Sequence, residues 1–311
     1  MILVRTAAHR VPRVLCWGAT VAAALAILTA SPALAAKPSH GGGGGGSSST
    51  TGNDVSYPQC GASLPSGQAF GIVGVNDGLA NILNPCLGPS SSYPSYAQSE
   101  LYWAVADSTG TPSQAKASLY VNTADPGNGV SDWPTSSSSE DPYGTCTATG
   151  TPSVGEETTA CAWQYGYNKL AQDMQWLTSA ALAINGQEGT VQVPSSPADY
   201  PWWLDVETAN SWQSGAYGLK MNVADLQGMV AALADAGVAK VGVYSTSYQW
   251  GQVTGGSTYT KGTSLVGMPD WIPGARKLSE AVSNCQLSSF TGGVVELTQW
   301  FSRPYDSDYA C

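Results

Sequence analysis

The sequence predicts an α/β fold in which parallel strands alternate with helices, as a barrel or a doubly wound sheet, and three observations carry that expectation. First, Trp203 to Val206 and Val241 to Ser245 read as short buried strands with an amphipathic helix between them. Such a crossover places its two strands parallel. Second, further β-type runs recur along the chain, at Asp54 to Tyr57, Phe70 to Val75, Leu119 to Asn122 and Val294 to Trp300, with helical segments between them. Third, about 260 residues follow the low-complexity N-terminal part, which suits one α/β barrel.

Taken in order, the chain opens with Arg5, Arg10 and Arg13, an apolar run from Trp17 to Ala30, and the small-residue pattern Ala33-Leu34-Ala35. That order predicts a secretory signal peptide over 1–36. The apolar run is too short and Ala-rich for a membrane span, so a secreted chain with no span after cleavage is expected. Residues 37–52, with Gly41 to Gly46 and a Ser/Thr run, read as a flexible linker. Residues 53–311 then form a single domain.

Within it, Trp163, Tyr167, Leu170, Met174, Leu177 and Ala181 recur every three or four residues and predict a core-facing helix over 163–183. A second helix is expected to start at Asn222 as cap, with Asp225 as the return partner. It would turn Leu226, Met229, Val230 and Leu233 to a core and stop at Gly237. Residues 123–160 and 186–200 are rich in Ser, Thr, Pro and Gly and read as surface insertions.

The 311 residues carry 12 basic and 22 acidic side chains, a formal net charge of −10. Cleavage after residue 36 removes three arginines, giving 9 − 22 = −13. A surface of that sign repels nucleic acid, and no basic run overrides it. Of the seven cysteines, Cys16 lies in the leader. Cys60, Cys86, Cys146, Cys161, Cys285 and Cys311 remain, an even count that implies three disulfides in an oxidising compartment. Proximity along the chain favours 60 with 86, 146 with 161, and 285 with 311.

His9 and His40 are the only histidines, one in the leader and one in the linker. Their positions exclude imidazole-based triads and His-ligated zinc from the folded part. No GxxxxGK[ST] loop occurs, nor GxGxxG after a strand. Acid–base chemistry in the folded part therefore falls to carboxylates.

The strongest candidates are Asp205 and Glu207 in Trp202-Trp203-Leu204-Asp205-Val206-Glu207. Strand alternation sends both to one face with Cα atoms ~6.5 Å apart. Repulsion and partial burial raise the pKa of one of such a pair, and glycoside cleavage needs one protonated and one ionised carboxyl group. Asp54 ends the first strand, and Asp306 and Asp308 follow the last, where they read as a polar turn. Trp202, Trp203, Trp212, Tyr244, Tyr248, Trp250, Trp271 and Trp300 cluster near these acids along the chain. Sugar C–H faces stack on such rings.

In order, these landmarks resemble the glycoside hydrolase family 25 lysozymes, the bacterial and phage N-acetylmuramidases. Asp54-Val55-Ser56 with Gln59 is similar to the family's opening DVSxxQ strand, and Phe70 to Val75 with Gly78 to its second strand. Leu204 to Glu207 is similar to its DxE motif, Gly242-Val243-Tyr244-Ser245 with Trp250 to its YxS…W strand, and Asp270-Trp271-Ile272 to the strand after it. Gln299-Trp300 with Asp306 and Asp308 resembles its closing element. The resemblance implies an irregular TIM-like barrel with fewer helices than the regular form, and an acidic cleft at the C-terminal strand ends. It makes Glu207 the general acid and Asp205 the group that orients the substrate's acetamido. Asp54, Asp306, Gln59, Tyr244, Trp271 and Trp300 would then bind the glycan, and the bond cleaved would be the β-1,4 link after N-acetylmuramic acid in peptidoglycan. The resemblance also implies that no metal or organic cofactor is needed, and a monomer acting on cell-wall glycan is expected. Gly74-Val75-Asn76-Asp77-Gly78 stands where the family has Lys-Ala-Thr-Glu-Gly, and Pro273 follows Trp271-Ile272. These departures leave a non-catalytic cell-wall carbohydrate-binding barrel as the alternative.

Overall fold

Eight short strands follow one another around a closed barrel in chain order in the computed structural model, which describes residues 50–138 and 140–311. They are β1 (Thr51–Val55), β2 (Gly71–Gly74), β3 (Ala117–Asn122), β4 (Trp202–Asp205), β5 (Val241–Tyr244), β6 (Asp270–Ala275), β7 (Val295–Ser302) and β8 (Tyr305–Ala310). Neighbours from β1 to β7 pair parallel, and β8 runs antiparallel to both β7 and β1. Closure decides for the barrel over the doubly wound sheet. Strands buried on both faces account for the continuous apolar runs: every residue of Gly71–Gly74 and of Trp202–Asp205 is buried.

The barrel is irregular where the resemblance implies missing helices. β1 reaches β2 through coil with one short helical turn, Tyr57–Gln59, and β7 turns directly into β8. Elsewhere the crossovers carry α1 (Glu100–Asp107), α2 (Thr159–Asn185), α3 (Gly215–Asp235), α4 (Ser247–Thr254) and α5 (Leu278–Asn284). Ser99, Thr158 and Thr246 cap α1, α2 and α4 by accepting from backbone N–H groups of the first turn. The β4–α3–β5 unit is the parallel crossover expected from the sequence. The segment read as a signal peptide and residues 37–49 of the segment read as linker lie outside the described residues. β1 starts at Thr51, inside the segment read as linker.

Several sequence expectations need correction. α3 begins seven residues before Asn222, because Gly215 and Gly218 mask its first turns. Asn222 is fully buried within the helix. Its Oδ1 accepts from Gln213 N at 3.0 Å, and its Nδ2 donates to Gln213 O at 3.0 Å and Val253 O at 2.8 Å. It therefore ties down the segment entering the helix instead of capping its end. Asp225 is buried with both carboxyl oxygens unpartnered, so it makes no capping box. The helix stop is as expected, with Gly237 at φ +79° past the end. In α2, Trp163, Leu170, Leu177 and Ala181 are buried, while Tyr167 and Met174 are half-buried against the core. The 123–160 insertion is partly interior: Trp133 and Cys146 pack with Trp163, Tyr165, Met221 and Ala224 in a second small core.

The three disulfides pair by chain proximity, Cys60 with Cys86, Cys146 with Cys161 and Cys285 with Cys311, across Cα separations of 5.6, 4.5 and 5.5 Å. Among the described residues no helix is long and apolar enough to cross a membrane.

α2 and α3 touch backbone to backbone at two glycines. A Cβ on Gly166 would collide with Asp225 O, and one on Gly228 with Trp163 O. Alanine ordinarily favours a helix over glycine by about 1 kcal/mol. Here the collision outweighs that gain, so Gly228→Ala should destabilise by about 1–3 kcal/mol. Urea unfolding should show a lower midpoint at an unchanged slope.

Candidate functional site

The strand ends converge on a cleft of about 170 Å³ lined by Asp54, Tyr120, Asp205, Glu207, Tyr244, Trp271, Gln299 and Asp306. Register explains the convergence. Asp54 pairs with Asp306 across β1 and β8, Asp205 with Tyr244 across β4 and β5, and Tyr244 with Trp271 across β5 and β6. The antiparallel β8 brings its N-terminal half to the mouth that receives the C-terminal ends of the other strands. Glu207 lies two residues beyond β4 and is half-buried, whereas Asp205 is 6% exposed. Trp212 Nε1 donates to Glu207 O at 2.9 Å and fixes the backbone of that loop.

Of the sequence candidates, Asp54, Asp205, Glu207, Tyr244, Trp271 and Asp306 are thus brought together. Gln59 and Trp300 are not. Gln59 Oε1 accepts from Ser56 N at 2.9 Å, fastening the turn after β1, and its side chain lines a separate cavity with Leu64 and Glu100. Gln299 faces the cleft, so alternation along β7 turns its neighbour Trp300 outward. Phe301, two residues past Gln299 and 61% exposed, shares that inner face instead.

Tyr120, Gln299 and the depth of Asp308 escaped the sequence reading. Tyr120 is hidden in an apolar run. The alternation of Asp306 and Asp308 is the signal that a strand, not a turn, carries them. Tyr244 OH donates to Gln299 Oε1 at 2.9 Å, and Gln299 Nε2 donates to Asp54 Oδ2 at 2.8 Å. Trp271 Nε1 donates to Asp308 Oδ1 at 2.9 Å. The Trp271 ring meets Tyr244 edge to face at 4.6 Å and Tyr120 at 6.2 Å, making an aromatic floor.

No lysine or arginine lines the cleft, and burial pushes Asp54, Asp205 and Asp306 toward the neutral form. Asp54 rises to about 7, through burial first and the charge of Asp306 beyond that, against the bond from Gln299. Asp308 is pushed well up by burial first and by the neighbouring Asp54, against the bond from Trp271. Asp205 is also held well above the usual carboxylate range, by burial, then Glu207, then Asp54. Its Oδ1 has no hydrogen-bond partner. Burial likewise raises Tyr120 and Tyr244, which stay phenols able to donate. Among the described residues the grouping with metal-ligand spacing is Cys60, Cys86 and Glu100. Two of its donors are sulfurs in a disulfide, and none lines the cleft.

Fold and site together define a closed α/β barrel with an acidic, aromatic-floored cleft at its mouth. Residues 200–266, which carry β4, Glu207, α3, β5 and α4, match the family described as Lysozyme-like protein 1. A solved structure of a glycosyl hydrolase 25 of Streptococcus pneumoniae, described as a virulence factor participating in host cell invasion, is similar at 14% identity and a TM-score of 0.43. That similarity covers 84% of this chain and 87% of the other. No curated protein matches the chain.

The raised pKa of Asp54 fixes a sign for stability against pH. Folded Asp54 holds its proton more tightly than the unfolded side chain with its ordinary value of 3.8. That contribution is complete below about pH 4 and is lost as pH rises through about 7. Thermal unfolding of the native protein should therefore show Tm falling between about pH 4 and pH 8. Asp54→Asn should flatten the fall.

Proposed function

We propose that the protein is a secreted glycoside hydrolase that cleaves peptidoglycan or a related amino-sugar polymer by carboxylate chemistry, as a monomer with no metal or organic cofactor. The observation that carries this reading is the pairing of Asp205 and Glu207. One is buried and neutral-favouring, the other half-exposed two residues on, in a cleft lined by phenols, an indole and an amide. Two carboxyl groups with different environments are what glycosidic acid–base chemistry requires.

In this mechanism the proton that burial holds on Asp205 passes to Glu207 when substrate binds, and Glu207 gives it to the leaving glycosidic oxygen. Asp205, with an unused Oδ1, orients the substrate's acetamido group so that its carbonyl oxygen attacks the anomeric carbon. Water then opens the cyclic adduct and returns a proton to Glu207. Asp54 and Asp306 line the cleft, with Asp54 held by Gln299, and Trp271 with Tyr244 offers an apolar face to a sugar ring. Export rests on the N-terminal pattern and on three disulfides, which persist in oxidising compartments.

The alternative, a carbohydrate-binding barrel without turnover, is favoured by the segment after β2. Asn76 there is fully buried and bonded to Asn122 through both amide atoms, at 3.1 and 2.9 Å, so it braces the wall and contributes no charge.

Incubation of the purified protein with peptidoglycan and with chitin oligomers, followed by mass spectrometry of new reducing ends, separates the two. Glu207→Gln should lower release by about 10²–10⁴-fold, with Asp205→Asn also impaired. Release that survives in both variants would refute the assignment, and tight binding with no release from any glycan would establish the binder.

A further inference from the structure

The disulfide between Cys60 and Cys86 joins the loop after β1 to the segment after β2. A Glu100 carboxyl oxygen and both sulfurs lie within 4.8 Å of one another. Among the described residues, neither of the other two disulfides has an aspartate or glutamate so close to both its sulfurs. The two cysteines are unequal, because Cys86 is fully buried and Cys60 only half-buried.

Glu100 opens α1 and is 1% exposed. Its Oε2 accepts from Asn84 Nδ2 at 2.7 Å, and its Oε1 has no partner. A carboxylate with one oxygen bare is costly to bury, so burial raises Glu100 to about 7, against the bond from Asn84. With Oε2 engaged as an acceptor, the proton sits on Oε1. Tyr120 of β3 feels the charge of Glu100 and stays a phenol, and Asp107 lies about two turns further along α1. Residues 59–66 and 84–87, which touch α1 through Pro65, Cys86 and Leu87, carry no charged side chain.

A cavity of about 390 Å³ gives a small thiol a way in. Gln59 and Gly61, the chain neighbours of Cys60, line it together with Glu100, and no lysine or arginine does. On the buried side one amide holds both the cysteine and the acid. Asn84 Oδ1 accepts from Cys86 N at 3.0 Å, while Asn84 Nδ2 donates to Gly74 O as well as to Glu100, at 2.7 Å each.

Reduction of a disulfide begins with attack on one sulfur and goes faster the more readily the other leaves as thiolate. A thiolate in buried, uncharged surroundings is disfavoured. Here the accessible sulfur is that of Cys60, so the leaving sulfur is the buried one. The group beside it is an acid that keeps its proton close to neutral pH.

We propose that Cys60, Cys86 and Glu100 form a thiol–disulfide exchange site that accepts two electrons from an external dithiol. One thiolate of the dithiol attacks Cys60 Sγ and forms a mixed disulfide. The bond to Cys86 breaks with its electron pair on Cys86 Sγ, which is then free to swing and takes the proton of Glu100. The second thiolate of the dithiol attacks the dithiol sulfur of the mixed disulfide, closing the dithiol into a disulfide and releasing Cys60 as thiolate. Cys60 and Glu100 then take protons from water. The dithiol is oxidised and the protein disulfide reduced by two electrons. The site is separate from the acidic cleft and does not depend on the glycan reading.

The test follows the opening of each disulfide in the native protein under dithiothreitol from about pH 5 to about pH 9, by alkylation of the new thiols and peptide mass spectrometry. Cys285–Cys311, with Cys311 exposed, is the reference within the same molecule, so ionisation of the reductant cancels in the ratio of the two rates. The rate for Cys60–Cys86 relative to that reference should fall about tenfold between about pH 6 and pH 8, as the protonated fraction of a group titrating near 7 does. Glu100→Gln keeps an acceptor for Asn84 and should remove the fall. If it does not fold, Glu100→Asp takes its place. That variant holds its acid one methylene further off and should lower the ratio at about pH 6 while leaving it unchanged at about pH 8. A ratio that does not vary with pH in the native protein overturns the proposal. So does the same variation in folded Glu100→Gln, or an unchanged ratio in Glu100→Asp.

Discussion

Five carboxyl groups, those of Asp54, Asp205, Glu207, Asp306 and Asp308, converge on one barrel mouth with no basic side chain lining it. In a medium of low dielectric such a set cannot all ionise, and each way of relieving the repulsion leaves a mark on the structure. Burial and the repulsion of neighbouring carboxylates push Asp54 and Asp308 toward the neutral form. Gln299 and Trp271 aim neutral N–H donors at the same two residues, and Tyr244 in turn orients Gln299. Asp306 and Glu207 keep access to water. A carboxyl group that remains neutral beside one that remains wet is the asymmetry on which acid–base chemistry at a sugar depends.

The parallel half of the barrel was legible because its physics is local. The short apolar strands, the 3.6-residue repeat of α2 and the glycine that ends α3 each follow from periodicity or from a backbone angle. Asp205 and Glu207 were legible for the same reason, as two acids at strand spacing next to buried tryptophans. β8 was not, because Tyr305–Ala310 alternates tyrosine, aspartate and serine and lacks an apolar signature. Only closure of the barrel against β7 and β1 gives those polar residues strand partners. Asn222 misled for a related reason: an asparagine before an apolar stripe reads as a cap, and only the tertiary fold shows its amide spent on Gln213 and Val253. Trp300 shows the limit of composition. An aromatic near the acids in sequence points the wrong way when its neighbour Gln299 faces in, and one residue of register separates the two faces.

The site also divides between rigid and adjustable parts. Asp54, Asp205, Asp306 and Asp308 all project from strands, with directions set by pairing on both sides. Glu207 alone comes from a loop, and that loop is anchored through its backbone by the Trp212 indole and the Asn210 N–H. A group that must follow a leaving oxygen gains from such freedom, while groups that set charge gain from being fixed.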